Sequence, residues 1–256
     1  MLLSAQNLYV HFDGLVALND FSLTIEKGEV VALIGPNGSG KTTFFNTISG
    51  FVSPERGQIV YNGAKITNIP PHKVAEFGIA RTFQNLELFP YLTVLENVLV
   101  GTHCRVSMRQ ALWNIVSREE RQRQEFLALE MLDFLGISGF EKSRPAGMPY
   151  GIQKLVELAR ALAVQPRLLL LDEPAAGMNE QETIEMSRII REIRNNLGIT
   201  VLVVEHDMSL VMPICDRVIV LNSGEKLAEG KPEEIKTNPA VLEVFLGKSY
   251  AEGNHA

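Results

Sequence analysis

Residues 30–50 read VVALIGPNGSGKTTFFNTISG. An apolar run ends at Ile34, a glycine-rich loop follows, and the residues from Lys41 onward have amphipathic helical spacing. Gly35, Gly40, Lys41 and Thr42 match the pattern G-x-x-x-x-G-K-[ST], in the strand, loop and helix setting that pattern requires. Each residue type has a chemical reason. Glycines let backbone N–H groups face phosphates, a lysine reaches the β and γ groups, and a Thr hydroxyl can ligate magnesium. Gly35, Pro36, Asn37, Gly38, Ser39, Gly40, Lys41, Thr42 and Thr43 are therefore the expected phosphate cradle.

A second apolar strand, RLLLLDEP, delivers Asp172 and Glu173 at its carboxyl end. Beside a phosphate loop, Asp172 suits the magnesium shell and Glu173 suits a general base for the attacking water. The crossover helix ETIEMSRIIREIRNNLG and the buried-strand pattern ITVLVVEH follow, which predicts an α/β architecture. Residues up to about Ile66 are β-rich, with short runs NLYVHF, FSLTI and GQIVYNGAKI between turns. Much of the interval from Glu87 to Gln165 reads as helix and predicts an inserted helical subdomain. DRVIVLNSG and EKLAEG form an expected hairpin, with two short helices after it. Within GMPYGIQKLVELARAL, residues 147–162, Leu155, Leu158, Ala159 and Leu162 mark the apolar face of a helix. Lys154, Glu157 and Arg160 are expected on its wetter side.

The 256 residues fit one large α/β domain, and the net charge of -6 argues against broad nucleic-acid binding. Cys104 and Cys215 have no partner at metal-ligand spacing and read as buried thiols of a reducing compartment. The first residues lack the pattern of a signal peptide, and no apolar run approaches the ~18 residues of a membrane span. Any membrane connection is expected through a partner. The mixed-sign run SREERQRQE reads as a solvated helix face.

The order of these motifs resembles the ATP-binding subunit of ABC transporters over nearly the entire chain. The resemblance implies an α/β P-loop NTPase core with an antiparallel β subdomain and an inserted α-helical signature subdomain. It implies a single domain, with 1–86 and 166–256 forming the core and β subdomain and 87–165 the helical part. RTFQN resembles the Q-loop, placing Gln84 near magnesium and the γ-phosphate. VVEHDM resembles the switch region, with His206 contacting the γ-phosphate and Glu173. YVHFDGLVAL resembles the adenine-stacking segment with Phe12 as the ring, Tyr9 and His11 being adjacent candidates. MPYGI stands where the signature loop has Leu-Ser-Gly-Gly-Gln, so Pro149, Tyr150, Gly151 and the following Gln153 are expected to meet nucleotide held by an opposite subunit. Pro149 supplies neither hydroxyl nor N–H there, and Asn179 replaces a usual acidic residue.

GIARTFQNLELFPYLTVLENVLVG, DEPAAGMN and GKPEEIKTNPAVLEVFLG resemble ATPase subunits of branched-chain amino acid importers. That resemblance implies ATP and Mg2+ as cofactors, with Thr42, Gln84 and Asp172 around the metal. It implies transmembrane permease subunits, a second ATPase subunit in a homo- or heterodimer, an external solute-binding protein and no nucleic acid. The expected location is peripheral, at the cytoplasmic face of the inner membrane. The alternatives are the ATPase of a lipid or lipopolysaccharide exporter, and a soluble non-transport ABC ATPase.

Overall fold

Residues 1–84, 86–102, 117–206 and 208–246 are described by a computed structural model. Cys104 and the start of the expected long helix, up to 116, lie outside the described residues. The strands are β1 (Leu3–Phe12), β2 (Leu15–Ile25), β3 (Val30–Ile34), β4 (Arg56–Tyr61), β5 (Ala64–Lys65), β6 (Ile79–Arg81), β7 (Leu168–Asp172), β8 (Thr200–Val204), β9 (Arg217–Asn222) and β10 (Glu225–Gly230). One sheet has the order β2-β1-β4-β5 and is antiparallel. The other has the order β10-β9-β3-β8-β7-β6, parallel except for the β9–β10 hairpin.

Every residue of β3, β7 and β8 is buried. Such strands read as continuous apolar runs because both faces of a parallel sheet are covered. Successive side chains point to opposite faces, so Val30, Ala32 and Ile34 enter one core while Val31 and Leu33 enter the other. Leu169 and Leu171 split from Leu168 and Leu170 in the same way.

The helices are α1 (Lys41–Ile48), α2 (Pro71–Val74), α3 (Val94–Thr102), α4 (Arg118–Phe134), α5 (Tyr150–Ala163), α6 (Glu180–Leu197), α7 (Met208–Ile214), α8 (Pro232–Lys236) and α9 (Pro239–Leu246). Phe44, Phe45 and Ile48 of α1 join the antiparallel sheet on one face of the large sheet. On the other face lie α3, α4, α5, α6 and α7, represented by Val98, Leu132, Leu162, Ile190 and Val211. The run SREERQRQE is largely exposed on α4, apart from Gln124.

Helix α6 shows why Asn stands at 179. The Asn179 side chain accepts from Glu182 N–H at 3.0 Å, and Glu182 Oε2 accepts from Asn179 N–H at 2.9 Å. This capping box satisfies donors that have no partner within the helix, and Asn serves there as well as Asp.

The α3–α5 contact depends on Gly101. A Cβ at that position would stand 2.1 Å from the Arg160 carbonyl oxygen. Gly101→Ala is expected to lower the stability of the nucleotide-free chain by about 1–3 kcal/mol, the usual range for overpacking. Gly139→Ala, at a position with nothing nearby, should stay within about 0.5 kcal/mol of the parent. Urea unfolding of the two variants provides the comparison.

Candidate nucleotide site

The loop 35–40 leaves the carboxyl end of β3 and enters α1. Gly40 holds φ at +108°, and a Cβ there would meet the Ala17 carbonyl oxygen at 2.3 Å. Only glycine lets the loop lie this close to β2. The first turn of α1 carries no acidic residue and no side-chain cap, the arrangement in which a helix N-terminus can receive an anion. Lys41 is buried, and its Nζ donates to the carbonyls of Gly35 (2.7 Å) and Pro36 (2.9 Å). Burial pushes its pKa down, while the charges of Glu173 and Asp172 act in the opposite direction. Ser39 Oγ is buried with no hydrogen-bond partner among the described residues, the kind of orphan that a ligand oxygen would satisfy.

Asp172 closes β7 and is buried. Its register partner on β8 is Val204, so the ends of both strands lie side by side. Glu173 follows with φ at +48°, a left-handed conformation that is uncommon for a non-glycine residue and recurs at active sites. Its N–H donates to the Val204 carbonyl at 2.9 Å. Gln84 Nε2 donates to Glu173 Oε2 at 3.1 Å. His206 Nδ1 stands 3.8 Å from Glu173 Oε1, in electrostatic reach but beyond a hydrogen bond, and its side chain is 57% exposed. Lys41, Gln84, Asp172, Glu173 and His206 thus gather at one end of the sheet, with Thr42 exposed and Thr43 half-buried on the first turn of α1.

Phe12 ends β1 opposite Leu15 and is 45% exposed. Its neighbours have other engagements. Arg56 stands over the Tyr9 ring at 5.9 Å, and His11 Nδ1 lies 3.0 Å from Glu55 Oε2. Contact between Ala17 and Gly40 brings this hairpin beside the phosphate loop.

The segment 149–153 sits elsewhere. Pro149 is the N-cap of α5, with extended backbone and no side-chain capping bond. Gln153 Nε2 donates to the Met148 carbonyl at 2.9 Å. The Tyr150 ring faces Lys154 Nζ at 5.7 Å and borders Gly177, while Gly151 borders Glu182. Among the described residues, no hydrogen bond or ring contact of these residues reaches 35–43 of the same chain.

Sequence matching shows where these parts belong. The family described as ABC transporter matches residues 18–176, which spans the phosphate loop, Gln84, Asp172 and Glu173. The chain belongs to the ABC transporter family. As a cassette of that family it binds nucleotide and serves a transporter complex. A second match, described as branched-chain amino acid ATP-binding cassette transporter, covers residues 225–251. The cassette is 40% identical over 252 residues to the high-affinity branched-chain amino acid transport ATP-binding protein BraF of Pseudomonas aeruginosa, covering 97% of this chain and 98% of the relative. It is 40% identical over 251 residues to LivG of Escherichia coli strain K12, another high-affinity branched-chain amino acid transport ATP-binding protein, with the same coverage. The ADP conformation of MJ1267, an ATP-binding cassette of an ABC transporter, superposes with a TM-score of 0.85 at 32% identity, covering 96% of this chain and 99% of that one.

Two features of the cassette escape a local reading of its sequence. The first corrects an expectation: Lys154 and Glu157 are only 4% and 1% exposed. Arg160 is also half-buried, because that side of α5 packs against the main chain at Phe83, Gln84 and Glu87 instead of water. The second is Arg81, which donates through Nη2 to Asp172 Oδ2 at 2.8 Å and through Nη1 to Asn46 Oδ1 at 2.8 Å. Its guanidinium lies between the rings of Phe45 and Phe83, at 5.4 and 5.1 Å. Both charged partners are buried.

Arg81→Met would leave the Asp172 carboxylate buried without its counter-charge. The expected loss is about 3–5 kcal/mol in urea unfolding, as for other broken buried pairs. Arg81→Lys keeps the charge but lacks the fork that reaches Asn46 and Asp172 together, so it should recover only part of that loss.

Proposed function

We propose that this cassette is the ATP-hydrolysing subunit of a branched-chain amino acid importer. The observation that carries the catalytic part is the convergence of Gln84 and His206 on Glu173, beside Lys41 and Asp172. The transported class rests on the names of BraF and LivG and on the match at 225–251, which favours amino acid import over lipid or lipopolysaccharide export. In this reading 1–86 with 166–256 is the core and β subdomain, and 87–165 is the helical subdomain.

The residues at 35–43 receive the phosphates, Lys41 the β and γ groups, and Phe12 the adenine ring. Magnesium fits the chemistry of the site. This ion keeps most of its shell in phosphate oxygens and water and needs only one or two carboxylates. Asp172 Oδ2 is held by Arg81, and Oδ1 has no protein partner among the described residues. Thr42, Gln84 and Asp172 would hold the ion, which would neutralise phosphate charge.

Glu173 then takes a proton from the attacking water as its oxygen bonds to the γ-phosphorus. The bond to the β-phosphate oxygen breaks, giving ADP and phosphate. His206 contacts the γ-phosphate and orients Glu173. Pro149, Tyr150, Gly151 and Gln153 would meet nucleotide held by a second cassette, identical or different.

A cavity of about 500 Å3 lies between the turn after α1, α2, β6, the 87–89 stretch, α3 and α5, lined by Phe51, Phe83, Leu88, Phe89 and Arg160 among others. It suits a short helix of a transmembrane permease. No helix among the described residues is long and apolar enough to cross a membrane. A peripheral position at the cytoplasmic face of the inner membrane, held by permeases that an external solute-binding protein supplies, follows from this reading.

Deleting the subunit should abolish energised leucine, isoleucine and valine uptake; intact uptake with impaired lipid export would sink the proposal. Glu173→Gln should bind ATP yet lower turnover by about 100-fold or more, the scale expected when a general base is removed, as measured by phosphate release. Phe89→Asp places a charge in the apolar cavity and should reduce co-purification of the permeases by roughly tenfold, the effect of ~1.4 kcal/mol.

A further inference from the structure

Helix α5 presents charged residues at 154, 157 and 160, three apart and so on one stripe. All three engage the main chain of one segment. Lys154 Nζ donates to the Gln84 carbonyl at 3.2 Å, Phe83 N–H donates to Glu157 Oε1 at 3.1 Å, and Arg160 Nη1 donates to the Glu87 carbonyl. Because the contacts are to backbone, they hold the main chain at Phe83, Gln84 and Glu87 whatever the side chains there are.

The placement is costly for a merely structural contact. Ionised groups lose hydration on burial, and a buried polar atom without a partner is destabilising. Glu157 is almost fully buried, and among the described residues its Oε2 has no hydrogen bond of good geometry, although the Glu87 backbone also acts on the carboxylate. Burial pushes its carboxyl pKa up, against the Phe83 N–H and the charges of Lys154 and Arg160.

The clamped segment has two working ends. Gln84 bonds Glu173, while Glu87, Leu88 and Phe89 line the cavity assigned above to the permease. Lys154 connects this segment to the start of α5, since its ammonium lies 5.7 Å from the centre of the Tyr150 ring. That cation thus serves the Gln84 carbonyl and the Tyr150 face together. Tyr150 is the first residue of α5, and its ring also borders Gly177 in the segment after Glu173.

We propose that Lys154, Glu157 and Arg160 clamp the Gln84 segment to α5, and that Lys154 is a positioning residue coupling Gln84 through Tyr150 to the end of α5 that faces a second cassette. A shift of residues 83–87, from either the permease side or the nucleotide side, removes the acceptor of Lys154 and frees the Tyr150 ring. The inference rests on the reading of this chain as a transporter ATPase.

The test uses Lys154→Met, which keeps the apolar stem and removes the ammonium, in the transporter assembled with its permeases. ATP affinity and KM should stay within about twofold while kcat falls about tenfold, the pattern of a lost transition-state arrangement. Lys154→Arg should restore at least about half of kcat, since its charge still reaches both partners. Tyr150→Ala also removes a residue assigned to the opposing nucleotide, so it should slow the Lys154→Met enzyme further but by a smaller factor than it slows the parent, as expected for two parts of one link.

A Lys154→Met kcat within about twofold of the parent, or fully additive losses in the double variant, overturns the proposal. If Lys154→Met does not fold, hydrogen exchange of the unmodified cassette decides. On adding ATP, amides of 83–87 and 150–154 should change protection together, and a change in one segment alone overturns the link. Failure of the underlying functional reading looks different, because the unmodified assembly would then hydrolyse no ATP.

Discussion

The parallel strands β3, β7 and β8 are covered on both faces, and the rest of the cassette follows from that constraint. Strands so enclosed have no freedom to slip, because a shift of one residue would exchange the contents of two cores. Ile34, Asp172 and Val204 therefore end beside one another, with Arg81 at the end of β6 next to them. What emerges beyond those ends is the phosphate loop, Glu173, His206 and Gln84. Sites in open α/β sheets lie outside the carboxyl ends of the strands for this reason.

Charge within this rim is balanced locally. Lys41 faces Asp172 and Glu173, while Arg81 holds Asp172 from the side of the sheet and ties it to Asn46 on α1. Glu205, buried beneath the rim, accepts from the Ala175 and His206 N–H groups and joins the end of β8 to the segment after Glu173. In the proposed reading the carboxylates are thus placed before substrate arrives, which is the preorganisation that electrostatic catalysis requires. The strained backbone at Glu173 belongs to the same arrangement, since the hydrogen bond to Val204 helps hold it.

Some parts of the site were readable one segment at a time. The phosphate-binding role proposed for Gly35 to Thr43 rests on local backbone geometry, so their spacing alone could suggest it. Asp172 and Glu173 were visible as carboxylates at the end of an apolar strand. Gln84 and His206 needed a family resemblance, since an isolated Gln or strand-end His has many uses. Arg81 gave no local signal because its partner is 91 residues away. The charged side of α5 was misread for a related reason: helical periodicity separates two faces but does not say what covers the second. At Asn179, the apparent departure from an acidic residue is accounted for locally by an N-cap that either residue can supply.

Sequence alone determined the alternation of apolar strands and amphipathic helices, the phosphate loop and the order of the motifs, because each depends on residues close together in the chain. Only the tertiary structure decided that Gln84 and His206 meet at Glu173, that Arg81 neutralises Asp172, and that Lys154 and Glu157 are interior residues. Those relations depend on which distant segments pack side by side, and burial then changes the same charge from a solvated group into a fixed contact.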